Sequence, residues 1–139
     1  MVKAGRQAIT SDWWLNSKSH YEVFISALVE EEISGGDPMA AARRLQAVAN
    51  IPIILITSEA QLLADAILAA KAVPDNSVRD ALHIAIAATQ GIDYLLTWNF
   101  KHINNAETKA LIARVIEADG WACPILCSPE ELGGNDYEE

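Results

Sequence analysis

The chain has 139 residues, 51% hydrophobic and 21% charged, which suits one domain with a sizeable core and is too short for two of usual size. The apolar content excludes a disordered chain, and no run reaches the roughly 20 apolar residues of a membrane helix; Ala60 to Val73 is interrupted by Asp65 and Lys71. A net charge of −9, from 10 basic and 19 acidic residues and with no basic cluster beyond Arg43-Arg44, excludes a protein that holds nucleic acid mainly by counterion release.

The N-terminus, Met1-Val2-Lys3-Ala4-Gly5-Arg6, has no apolar stretch behind its charges, so no secretory signal and a cytoplasmic location are expected. Residues 4–18 read as a helix with Ile9, Trp13 and Leu15 among its apolar positions. Tyr21 to Ile25 is β-rich and reads as a strand. Ser26 has the chemistry of an N-cap for a short helix, Ala27 to Ser34, closed by Gly35-Gly36. Asp37-Pro38 opens the next helix, which runs to about Ala49. Ile51 to Ile56 is a continuous apolar run of the buried-strand kind.

Thr57-Ser58 caps a helix over 59–72 that Pro74 ends, and Asn76 or Ser77 caps another from Val78 to Gln90, stopped at Gly91. Ile92 to Thr97 reads as a strand, Asn104 or Asn105 starts a helix to about Asp119, and Pro124 to Cys127 is the last strand. Cys123 and Cys127, four apart on an extended segment, are about 13 Å apart, too far for a disulfide, and are expected as buried free thiols. An acidic, Gly-containing tail over 129–139 is expected to fray. Strands alternating with helices predict a parallel α/β layer fold, although the chain opens on a helix where such a sheet normally begins with a strand.

In open α/β sheets, ligands collect at the carboxyl ends of strands. The polar groups placed there are Glu30-Glu31-Glu32, Asp80, and the segment Thr97-Trp98-Asn99-Phe100-Lys101-His102. Three consecutive glutamates cannot all point inward, and Glu30 is expected on a solvated face. Asp80, in the first turn of its helix, complements the helix dipole. The residues after it, Ala81 to Ala88, are nearly all apolar, so an ionised Asp at that mouth also suits a cation. Asn99 follows a strand directly and suits a cap, a turn or a ligand, while His102 reads as a core or capping histidine as readily as a catalytic one. Phosphate-binding glycine loops and nucleophile motifs are missing.

Three blocks, Ser26 to Ile33, Asp80 to Ala87 and Leu96 to His102, resemble the PIN-domain family, which includes VapC-type toxin ribonucleases, in its order and spacing. The resemblance implies one domain over 1–128, a three-layer α/β/α fold around a parallel sheet, and a cluster of acidic or polar residues that binds Mg²⁺ or Mn²⁺ to hydrolyse RNA phosphodiesters. Glu32 matches the family's helix acid, with Glu31 as the fallback register. Asp80 matches the acid that begins the long apolar helix, and Asn99 a position that is Asp in many members and Asn in a subgroup. The family's first strand and the acid at its end have no counterpart here, so the resemblance is to a PIN domain without its N-terminal strand. An antitoxin protein and a homodimer are the partners it implies. The competing expectations are a non-catalytic PIN-like remnant acting through protein contacts and a small-molecule-binding α/β domain.

Overall fold

The computed structural model describes residues 21–96 and 106–127. The helix expected over 4–18, Asn99, His102 and the acidic tail lie outside the described residues. Those described form a mixed α/β structure with five helices and four short strands.

Strand β1 (Ile25–Ser26) leads directly into α1 (Ala27–Ile33), where the Ser26 hydroxyl accepts a hydrogen bond from the Val29 N–H, as the sequence predicts. Helix α2 (Pro38–Ala47) begins with Pro after Asp37, whose carboxylate accepts from the Ala40 N–H. Arg44 of α2 folds back on the end of α1, its Nε and Nη2 donating to the Ile33 and Gly35 carbonyls at 3.0 and 2.8 Å.

Strand β2 (Ile53–Ile54) pairs parallel with β1, Ile25 opposite Ile53. It is shorter than the apolar run predicts, and it is not buried: Ile53 is 44% and Leu55 71% exposed. The run was apolar enough for a strand covered on both faces, but β2 has β1 as its only neighbour among the described residues.

Helix α3 (Ser58–Ala69) is capped by the Thr57 hydroxyl, which accepts from the Ala60 N–H. It buries Ala60, Leu63, Ala64 and Ile67 on one face at helical spacing. It ends before Pro74, because the chain turns left-handed at Lys71, φ 60°. Helix α4 (Val78–Thr89) buries Ala81, Ile84, Ala85, Ile86, Ala87 and Ala88 and packs most extensively against α3. The facing alanines let the two helices approach closely, with Leu63, Ile67 and Ile84 filling the space between.

Strand β3 (Tyr94–Leu96), helix α5 (Ala106–Ala118) and strand β4 (Ile125–Cys127) complete the described chain, β3 and β4 pairing parallel with Tyr94 opposite Ile125. Ile112 and Ile116 of α5 reach the same core as α3 and α4. Cys123 and Cys127 are free thiols, as expected, but only Cys127 is buried and Cys123 is half-buried. Burial, and secondarily the charge of Glu117, pushes the Cys123 thiol above its ordinary value.

A single parallel sheet was expected. Among the described residues the strands instead form two separate parallel pairs, β1–β2 and β3–β4. The Tyr21 ring, ahead of β1 in sequence, meets the Tyr94 ring of β3 edge-on with centroids 6.1 Å apart. No helix among the described residues is long and apolar enough to cross a membrane.

Candidate functional site

Two of the residues singled out by chemistry bear on the start of α4, Asp80 in its first turn and Glu32 bonded to Arg79 and His83 on either side of it in sequence. Ser77 is its N-cap residue, but its ψ of 44° keeps the backbone out of the extended region a cap needs, and no side-chain capping bond forms. The cap expected from Asn76 or Ser77 is therefore not made. The first-turn N–H groups are left without a side-chain acceptor, and the negative charge of Asp80 stands in that turn. Asp80 is half-buried and precedes buried Ile84 by one turn, so it lies at the rim of the core-facing stripe. Among the described residues no hydrogen bond or ion pair reaches its carboxylate.

Glu32 stands in the last turn of α1, on the side that meets α4. Arg79 Nε donates to Glu32 Oε2 at 2.8 Å, and His83 Nε2 lies 3.1 Å from both carboxylate oxygens. Arg79 and His83, four apart, share one face of α4, so a single carboxylate spans both. The Arg79 guanidinium also reaches Glu31, Nη2 to Oε1 at 3.6 Å. Partial burial pushes the Glu32 carboxyl upward, but the hydrogen bonds and charges of Arg79 and His83 outweigh it and hold the group below its ordinary 4.5. Arg79 is raised in turn, chiefly by its hydrogen bond to Glu32.

Glu32 and the first turn of α4, distant in sequence, are thus brought together, and Asp80 is in that turn. Glu31, the fallback, is the more open of the pair, 68% against 36% exposed, and belongs to the same cluster. Glu30, expected on a solvated face, is only partly exposed in the first turn of α1. Arg79 and His83 were not anticipated. Their i, i+4 spacing beside Asp80 was a usable signal, since a run of three glutamates needs counter-charges and this pair offers two polar groups on one helix face.

Carboxylate oxygens are the donors a hard cation takes, but both oxygens of Glu32 are already engaged by Arg79 and His83. Among the described residues no three His, Cys, Asp or Glu side chains gather closely enough to hold an ion by themselves. No protein-family profile, characterised protein or solved structure matches this chain.

Proposed function

We propose that the chain is a metal-dependent endoribonuclease of the PIN type, the toxin half of a toxin–antitoxin pair, acting in the cytoplasm as a homodimer that an antitoxin protein restrains. In this reading the parallel pairs and their helices belong to a three-layer α/β/α fold. The supporting observation is the meeting of Glu32 with the turn of α4 that carries Asp80, two positions the sequence resemblance assigns to one site.

Glu32, Asp80 and Asn99 would hold a Mg²⁺ or Mn²⁺ ion, which supplies an activated water and charge stabilisation on the scissile phosphate. Asp80 places its carboxylate in the first turn of α4, at the positive end of the helix dipole. His83 aligns Glu32 by bridging both its oxygens, and so fixes where the carboxylate presents itself. An acidic protein gains little from counterion release on RNA, so substrate affinity must come through the carboxylate-held cation.

In a chain that carries a first strand, Asp80→Asn should abolish Mn²⁺-dependent RNA cleavage while shifting stability by no more than about 1 kcal/mol, since the residue sits at a helix start. Cleavage assays with and without EDTA, beside thermal melts, check both halves. Full activity in the variant would remove Asp80 from the site.

A second reading is favoured by the pairing of Glu32 with Arg79. In a non-catalytic PIN-like protein the Glu32–Arg79–His83 cluster is a clamp between α1 and α4. Absence of both Mn²⁺-dependent cleavage and Mn²⁺ binding in the wild-type chain would select it.

A further inference from the structure

An open groove of about 530 Å³ lies between α5 and β4, walled by Lys109, Ala113 and Glu117 on the helix and by residues 123–127 on the strand side. The three helix residues are spaced four apart and so share one face of α5. Tyr94 and Ile125, opposite one another in the β3–β4 ladder, give the groove an apolar floor and are 43% and 57% exposed. We infer that this groove docks an extended peptide, which adds as a third strand beside β4 and carries a basic and an acidic residue four positions apart with an apolar residue midway. The inference stands apart from Glu32 and from the nuclease reading.

Strand β4 has β3 as its only neighbour among the described residues, so its other side is an edge. Side chains alternate between the two faces of a strand, so a groove touching five consecutive residues follows the edge and not one face. The Ile125 N–H donates inward, to the Asp93 carbonyl at 2.8 Å. The backbone groups of Leu126 therefore point the other way, toward the edge. An added strand takes that donor and that acceptor, the mode in which exposed edges receive extended peptides. Pro124 has no N–H to offer, so backbone pairing is short and side chains decide what binds.

The two ends of the groove differ in charge. Helix α5 crosses back between two parallel strands and so runs opposite to β4, which puts Glu117 at the Cys123 end and Lys109 at the Cys127 end. The charge of Glu117 is felt at the Cys123 thiol, as that placement requires. Neither Lys109 nor Glu117 has an ion pair or side-chain hydrogen bond among the described residues. Eight helical residues span about 12 Å and four strand residues about 13 Å, so a strand beside β4 meets the two charges with residues four apart. Those residues share a face with the one midway between them, which lies against Ala113, where a small side chain leaves room for an apolar one.

NMR titration of the isotope-labelled full chain with two end-capped pentapeptides, Lys-Thr-Val-Thr-Glu and Glu-Thr-Val-Thr-Lys, tests this. One order should bind more tightly and move the Leu126 and Ala113 amide signals, and that order reports the direction of the added strand. Lys109→Gln and Glu117→Gln should each weaken it about two- to fivefold, the usual worth of an exposed ion pair. The charge swap Lys109→Glu/Glu117→Lys should make the other order the tighter one. Only alternate backbone nitrogens of the peptide face β4, so methylating either the Val nitrogen or the two Thr nitrogens should weaken binding about tenfold, and methylating the other set should not. The methylated peptides are compared on the wild-type chain, so that comparison holds even if a variant fails to fold.

Failure of both peptides to move the Leu126 amide at millimolar concentration overturns the inference, as does binding indifferent to the charge swap or to methylation. A Leu126 amide that shifts on dilution of the protein alone, with two copies co-eluting at high concentration, would make a second copy of the chain the occupant and overturn it as well.

Discussion

Glu32 is the residue on which the two readings of this protein turn, and its acid titration can be followed directly. Its carboxyl titrates lower in the folded chain than its ordinary 4.5, because Arg79 and His83 outweigh the effect of partial burial. A depressed carboxyl adds stability that is present above 4.5 and is lost as pH falls through the lower folded value. The amount is modest, under about 1 kcal/mol, since the side chain is 36% exposed and solvent screens the pair. Glu32→Gln should therefore lower Tm slightly at pH 7, and the gap from wild type should close as pH falls below 4.5. Parallel melts of the two proteins across that range measure it, and a gap that stays constant would mean that the ion pairs add nothing.

Helix ends show how physical chemistry carries across elements where sequence pattern falters. Three helices finish in the same double hydrogen bond. The Ala72, Ile92 and Trp121 N–H groups return to the Ile67, Ala87 and Ile116 carbonyls, and the Lys71, Gly91 and Gly120 N–H groups to those of Leu68, Ala88 and Glu117. The left-handed position is glycine in two of them and Lys71 in the third. Gly91 was legible and marked the end of α4; Lys71 gave no signal, so the stop of α3 was placed later, at Pro74. Lys71→Gly should stabilise the protein by a few tenths to about 1 kcal/mol, relief of left-handed strain exceeding the entropy lost by glycine. Denaturant midpoints would register it, and the exposed Lys71–Asp75 pair lost with it, 3.3 Å apart, is worth little. Caps at Ser26, Asp37 and Thr57 were equally readable, because each depends on one side chain and a backbone group three residues on. The capping failure at Ser77 was not, because it depends on a backbone angle that no residue type dictates.

At the scale of the molecule, the α/β alternation was legible from hydrophobic runs and turn residues, while the pairing of strands was not. Apolar runs report burial, and Ile51 to Ile56 was apolar enough for a sheet interior that the described residues do not supply. The pairing of Arg79 with Glu32 was not legible either, since the spacing of Arg79 and His83 marks a polar helix face but not which helix meets it. The two strand pairs have a further consequence. Each ladder closes within its own half of the sequence, Ile25 with Ile53 and Tyr94 with Ile125, and the exposed loop at Pro74, Asp75 and Asn76 lies between the halves. What joins the halves is chiefly the apolar stripe of α3 against α4, with no strand crossing from one to the other among the described residues. A chain severed at Asp75–Asn76 should consequently yield two fragments, each keeping one whole parallel strand pair with the helices between its strands, that recombine on mixing through the α3–α4 face. Co-elution of the fragments with recovery of the native circular-dichroism spectrum would demonstrate it. Ile67→Asp, placing a charge in the fully buried contact, should keep them apart.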